Sequence, residues 1–540
     1  MKRFDPIRPT RPTRPICPRT SGSAPRRRAL RAPFLTALVA CAALAGAVRA
    51  DTPPPAPTVA LDAAQLRAER ALIETALTRL HPGYARYATA ADRAAIWRDY
   101  DAALGLGGDN ARAADAAPIT DRDAYHALSR LLAAIRCGHT KAEVPKAYAA
   151  YRRAQPTHLP FRFRLFGDRM IVVGADDPRL PRGARVRAID DVAVEARLAQ
   201  LRPLVAVDGV VPAAVDASLV EDGDLLGSAF DHYLPFVDRL RHRFRLRVEP
   251  PGGGAAQTID VSAVTFDAWR ALPGARTAWR GDFVDAVRLE TLDARTALLR
   301  IDTFVNYRRP VDPIAHLAPY FRQLRADGVD RLILDLRRNG GGSEDAAYGL
   351  MRLLMPTPFR MKRPSRVRAL DVGDALRPYV DTWDPSALAL DPATVRRVDD
   401  GWALGPALQP AAYRDLQPHP DRFTGTVVAL TTGTNGSGST NVLAKLRDAD
   451  RATLIGEPTG GNAAGPTAGV IAFLRLPHSG ITMRVPLRRV INDVDAMAGD
   501  HGPGVPPHIA VAITEADLLI GRDPVLEAAR RWLRRGDETR

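Results

Sequence analysis

The stretch LILDLRRNGGGSEDAAYGLMRLLM, residues 332–355, decides the fold of this 540-residue chain. Leu332-Ile333-Leu334 is an apolar run of the kind that forms a buried strand. Residues 335–339 and the glycines Gly340, Gly341 and Gly342 follow as a tight turn. Leu350, Leu353 and Leu354 then share one face at helical spacing. Glycines at a helix N-terminus leave backbone N–H groups bare, where an anion or oxyanion is stabilised. Downstream the plan repeats, with a strand at 427–430, a turn at 431–437 and a helix at 438–447. The second turn carries Ser437 where a nucleophile would sit. Two strand–turn–helix units, one offering donors and one a hydroxyl, point to an α/β core and to acyl transfer.

A serine becomes nucleophilic only with a partner base, and it needs donors for the oxyanion it creates. Gly438 can donate its own N–H beside Ser437, and Gly341, flanked by Gly340 and Gly342, is the expected second donor. The competing structural reading is that Ser437 caps the helix. Ser439 is the alternative nucleophile. A phosphate cradle is disfavoured by Glu344 and Asp345, whose charge in the first helical turn repels phosphate, and no lysine follows the glycines. No Cys/His cluster has metal-ligand spacing, so neither a metal nor a cofactor is expected.

Several motifs resemble those of the S41 serine peptidases, the C-terminal processing or tail-specific peptidases and their relatives. DLRRNGGG resembles the family's DLRxNxGG signature. Ser437-Gly438-Ser439-Thr440 stands where the family has S-A-x-E. Ile455-Gly456-Glu457-Pro458-Thr459-Gly460-Gly461 is similar to its IGExTxG strand and turn, and Gly504-Val505-Pro506-Pro507-His508-Ile509 to its G-[VI]-x-P-D-I ending. The resemblance covers about residues 332–511 and implies a crotonase-like α/β spiral. It also implies a base. In the tail-specific branch a lysine closes the GExTxGK motif, but here Asn462 occupies that position. Lys445 lies eight residues beyond Ser437, about 12 Å along the same helix and out of reach. The tricorn-type branch instead takes a histidine from before the core. Ile135-Arg136-Cys137-Gly138-His139-Thr140 is similar to its DGHT ending, and His81-Pro82-Gly83 to another landmark there. His139 is therefore the expected base, with Cys137 standing where the family has Asp. A capping role for His139 and a Cys137–His139 nucleophile pair are the competing readings. In that branch an acid precedes the G-[VI]-x-P ending. Asp500 is the choice here, with Asp495 second and His501 as a rival base.

The net charge of +15 is uneven, since residues 1–50 hold eleven Lys and Arg against one acid, a net +10, which leaves +5 for the rest. That balance makes no case for nucleic-acid binding. Arg26-Arg27-Arg28, the apolar run 32–48 and Val48-Arg49-Ala50 follow the order of a secretory signal, so residues 1–50 are read as a signal peptide. The run is short for a membrane anchor. Leu38-Val39-Ala40-Cys41 also resembles a lipoprotein box, making a lipid anchor at Cys41 the alternative and the membrane link. Cleavage after Ala50 would leave Cys137 alone of Cys17, Cys41 and Cys137, without an internal disulfide.

Residues 51–58 are a Pro-rich linker and 59–155 a helical region. Residues 156–290 read as a small β-domain of short strands, loosely PDZ-like around 180–194. Residues 295–525 are the S41-like core, interrupted at 356–421 by a Pro-, Asp- and Arg-rich insertion placed to act as a lid. The expected protein is an exported, periplasmic or secreted serine-type peptidase that cleaves peptides or unfolded proteins through Ser437, His139 and Asp500. The alternative is a non-catalytic peptide-binding relative.

Overall fold

A computed structural model of the chain describes residues 54–107, 117–274, 281–495 and 504–538. The leader with Cys17 and Cys41, and both Asp500 and His501, lie outside the described residues. The architecture is mixed α/β, and no helix among the described residues is long and apolar enough to cross a membrane.

The first helix, Ala63–Arg79, starts from a capping box between Asp62 and Gln65 and buries Leu66, Ile73 and Leu77 at helical spacing. It stops before His81-Pro82-Gly83, because the residue ahead of a proline is pushed out of helical conformation. Helices Ala90–Ala103 and Asp121–Ala134 follow, each with a Thr–Asp capping box, and Lys146–Ala154 completes the set. A small antiparallel sheet runs in the order Phe161–Phe166, Arg169–Ala175, Arg185–Ile189, Arg243–Glu249, Gln257–Ser262. The expectation of short strands throughout this region is corrected at its centre. Three helices, Val194–Leu201, Pro212–Val220 and Ala229–Val237, intervene between strands. Pro212 pre-sets the first turn of the second and Ser228 caps the third, local chemistry that outweighs any strand pattern there. The N-terminal helices, this sheet and the hairpin Thr467–Arg475 with Thr482–Asn492 share one hydrophobic core.

The central sheet has the order Val287–Thr291, Thr296–Ile301, Arg331–Asp335, Thr426–Thr431, Thr453–Gly456, Ile509–Ala510. Its first pair is antiparallel and the rest are parallel. The run Leu332-Ile333-Leu334 divides by the two-residue period of a strand. Leu332 and Leu334 pack with Leu350 and Leu443 on one face, while Ile333 packs with Val525, Ala529 and Leu533 of Pro524–Glu538 on the other. Burial on both faces explains why the strand reads as a continuous apolar run.

The 356–421 segment is not a free lid. Its strands Lys362–Val367, Val380–Asp381, Val395–Val398 and Gly401–Leu404 join an antiparallel sheet with the 467–492 hairpin. Backbone groups that pair across such a distance cannot be seen in the segment's own composition. Ala142–Glu143, just after His139, adds to the same sheet by pairing with Thr482 and Met483.

Candidate active site

The parallel strands Arg331–Asp335 and Thr426–Thr431 are hydrogen-bonded neighbours, so the turns that leave their C-terminal ends emerge side by side. Ligands of open parallel sheets bind at such ends. In the first turn, Arg337 clasps Asp335 at 2.9 Å through both Nε and Nη2 and reaches Asp523 at 2.8 Å. Burial works to raise the Asp335 carboxyl, but the hydrogen bonds and charge of Arg337 prevail and hold it below the usual carboxylate range. Asn339 is fully buried. Its Nδ2 donates to the Ile301 carbonyl at 3.1 Å, and its Oδ1 accepts from Gly341 N–H at 2.9 Å.

That last bond corrects the expected oxyanion donor, because the Gly341 amide is already engaged. Gly341 serves by what it lacks. With φ +107, an added Cβ would stand 2.8 Å from Ser437 Cβ and 3.0 Å from Gly438 N. The next glycine, Gly342, is also left-handed at φ +141 and lies against the Phe304 backbone. No described residue accepts from the N–H of Gly342 or of Gly438. The two amides border one spot, since a Cβ on Gly438 would lie 3.8 Å from Gly342 N.

The serine turn is held by Asn435, fully buried and not anticipated from sequence. Its Nδ2 donates to the Leu336 carbonyl at 2.6 Å and to Ser439 Oγ at 3.0 Å, and its Oδ1 accepts from Thr432 N–H at 2.8 Å. Asn435 thereby pins the serine turn to the glycine turn. Ser439, the alternative nucleophile, is buried and occupied by this bond. Ser437 is half-buried, opens the helix Ser437–Asp448 and has φ +47, an uncommon conformation for a residue with a Cβ. The helix cap is Gly436, without a side-chain capping bond, so Ser437 does not fill the capping role. Strain of this kind concentrates at functional sites.

Lys445 donates to the Asp493 carbonyl at 2.6 Å and pairs with the Asp493 and Asp448 carboxylates at 3.5 and 3.8 Å, which occupies it away from the serine. Asn462, where the tail-specific pattern has lysine, is buried and accepts from Ala464 N–H through Oδ1 at 2.8 Å.

The histidine turn is fastened from three directions. His81 Nδ1 accepts from Gly83 N–H at 3.1 Å, which leaves its Nε2 proton for Thr140 Oγ1 at 2.6 Å. Burial pushes the His81 imidazole down to about 3, so it is neutral. Cys137 Sγ lies 3.6 Å from the Thr467 carbonyl it donates to. Burial, reinforced by the charge of Asp208, pushes the Cys137 thiol up to about 12, which removes the thiolate that a Cys137–His139 pair requires. Asp208, 7% exposed, accepts from Gly138 N–H at 2.8 Å. His139 is half-buried, and its Nδ1 is a buried atom without a hydrogen-bond partner. No hydrogen bond joins His139 to Ser437 among the described residues.

One short strap touches both turns. Asp208 holds Gly138, and Gly209 N–H donates to the Arg136 carbonyl at 2.9 Å. A few residues on, the Ala213 backbone lies 2.7 Å from where a Cβ on Gly433 would be, and Ala214 Cβ lies 3.0 Å from one on Gly460. Residues 208–214 therefore span from the histidine turn to the serine turn. Asp495, the second choice of acid, is 89% exposed in its side chain and ion-paired with Arg363. Among the described residues no group of His, Cys, Asp and Glu could hold a metal ion.

Residues 295–511 match the family profile described as Peptidase family S41. No curated protein matches the chain in sequence. Mature CPAF is similar in fold at 16% identity and a TM-score of 0.52, over 84% of this chain and 94% of that one. Mature CPAF complexed with lactacystin aligns at 16% identity and a TM-score of 0.55, over 87% of this chain and 98% of that one. The 295–511 core, with the glycine and serine turns inside it, is thus a match to peptidase family S41, a family of serine-type hydrolases.

Proposed function

We propose that the protein is an exported endopeptidase acting on peptides or unfolded proteins, with Ser437 as nucleophile, His139 as general base and Asp500 as the acid that orients it. The observation that carries this reading is Ser437 itself, held left-handed at the head of its helix with the unbonded Gly342 and Gly438 amides beside it. Ser437 Oγ attacks the peptide carbonyl carbon as His139 takes the hydroxyl proton. The carbonyl oxygen becomes an oxyanion facing the Gly438 and Gly342 N–H groups. Collapse breaks the C–N bond, His139 returns the proton to the leaving amine, and water releases the acyl group by the reverse path. No cofactor is required.

The same reading treats the small sheet as PDZ-like and the central sheet as a crotonase-like spiral. It takes residues 1–50 as an export signal that leads to the periplasm or outside the cell, with acylation at Cys41 as the route to a membrane. Labelling the protein with a fluorophosphonate and mapping the adduct tests the chemistry. The adduct belongs on Ser437, and Ser437→Ala should lose cleavage by at least about a thousandfold while remaining folded. A protein that binds peptide but neither labels nor cleaves would be the non-catalytic relative instead.

A further inference from the structure

Arg337 is clasped by Asp335 and Asp523, and Arg451 donates to the carbonyls of Leu354, Gly425 and Phe423. Two arginines of the strand Phe161–Phe166 differ. Arg162 is 6% exposed and lies over the Trp269 ring, yet its Nε is a buried atom with no hydrogen-bond partner, and its nearest acid, Glu221, stays at 3.9 Å. The Arg164 side chain forms neither a hydrogen bond nor a contact ion pair with a described residue, and Glu457 and Asp523 act on it only from farther away. Burial pulls the guanidinium of each below its ordinary value.

Both side chains line one cavity of about 170 Å³. Arg182, which donates to the Leu518 carbonyl at 2.9 Å, lines it too. Val173, Val220 and Leu518 make an apolar wall. The only carboxylate in the lining is Glu221, so three cations face one anion. A buried guanidinium short of acceptors is costly, and a charged acceptor entering the cavity relieves that cost through strong, charge-assisted bonds. The space is below the range of a drug-sized ligand site.

We propose that this cavity binds the carboxylate of an acidic side chain, glutamate or aspartate, from a peptide lying between the small sheet and the core. The carboxylate meets Arg164 and Arg162, and its methylene stem lies along Val173, Val220 and Leu518. The helix Pro212–Val220 relates the cavity to chemistry. It begins at the serine turn, where Ala213 meets Gly433, and ends with Val220 in the cavity wall. Its nine residues span about 13 Å, the reach of roughly four residues of extended peptide. The acidic residue thus lies about four positions from the bond that is cut, a placement that rests on the proposed peptidase reading. The binding chemistry of the cavity does not.

Isothermal titration of the Ser437→Ala protein separates the two. The probes are acetylated, amidated decapeptides without other charges, in which a single Glu or Gln is moved stepwise along the chain. At one position, or two adjacent ones, Glu should bind about tenfold more tightly than Gln. Arg164→Met should erase that preference, bringing the Glu and Gln peptides to equal affinity, and Arg182→Gln, at an exposed position, should weaken it. Equal binding of Glu and Gln peptides everywhere, no binding of either, or a preference that survives Arg164→Met overturns the proposal. An Arg164-dependent preference in a protein that neither labels nor cleaves upholds the cavity and removes the peptidase reading. Cleavage without the preference does the reverse.

Discussion

A methyl group at Gly341 tests the closeness of the two turns. Its Cβ would lie 2.8 Å from both the Gly436 carbonyl oxygen and Ser437 Cβ. Carbon atoms settle at about 3.5 Å or more, so Ser437 must recede by roughly 0.7 Å or the glycine turn must open as far. Displacements approaching 1 Å at a reacting group cost on the order of a hundredfold in rate. The backbone adds its own strain, since φ +107 with a Cβ costs about 1–2 kcal/mol, and overpacking adds about 1–3 kcal/mol. Gly341→Ala should therefore lose about 2–5 kcal/mol in urea unfolding and label with fluorophosphonate ten- to a hundredfold more slowly. Gly328→Ala is the control. It is left-handed at φ +69 with nothing within 4 Å of the added Cβ, so it should lose about 1 kcal/mol and label at the wild-type rate. Wild-type labelling by Gly341→Ala, or an equal loss in Gly328→Ala, would refute the reasoning.

Other outcomes concern the histidine turn. Asp208→Ala leaves the Gly138 N–H without its acceptor, which should cost about 1–3 kcal/mol and at least tenfold in labelling rate. Asp208→Asn keeps an acceptor and should recover most of both, and equal behaviour of the two variants would remove Asp208 from the turn's support. His81 should make the protein acid-sensitive. Its imidazole is held near 3 when folded against an ordinary 6.5, so the unfolded chain takes up the proton first. The stability linked to this neutral ring is whole above about pH 6.5 and is lost as pH falls toward 3, about 2 kcal/mol of it between pH 7 and pH 5. Urea unfolding of His81→Gln should show a pH dependence shallower by that amount over the same interval, and an unchanged slope would contradict the assignment.

The serine and glycine turns were legible because each is a local event. A short apolar run, a turn of small residues and a helical stripe lie within a few dozen residues, and their order alone indicates parallel strands. The stripe Leu66, Ile73, Leu77 was readable for the same reason. The helices between residues 194 and 237 were missed because their starts depend on Pro212 and on the Ser228 cap rather than on a clear apolar period. The 356–421 segment read as a lid because its strands find partners in the 467–492 hairpin, about a hundred residues away.

The sequence by itself determined the α/β core, the family resemblance, the serine at its turn and the absence of a lysine to serve it. Those rest on residue identity and short-range spacing. Only the tertiary structure decided which glycine amide stays open, since the Asn339 side chain engages Gly341 N–H and not that of Gly342. It also decided that Ser439 is occupied, through an Asn435 side chain that reaches the Leu336 carbonyl 99 residues earlier. The support of His139 by Asp208, 70 residues from the Gly138 amide it accepts, was settled there too. A buried donor must find an acceptor somewhere, but which one depends on where distant backbone lies after folding, and a linear chain carries no signal of that.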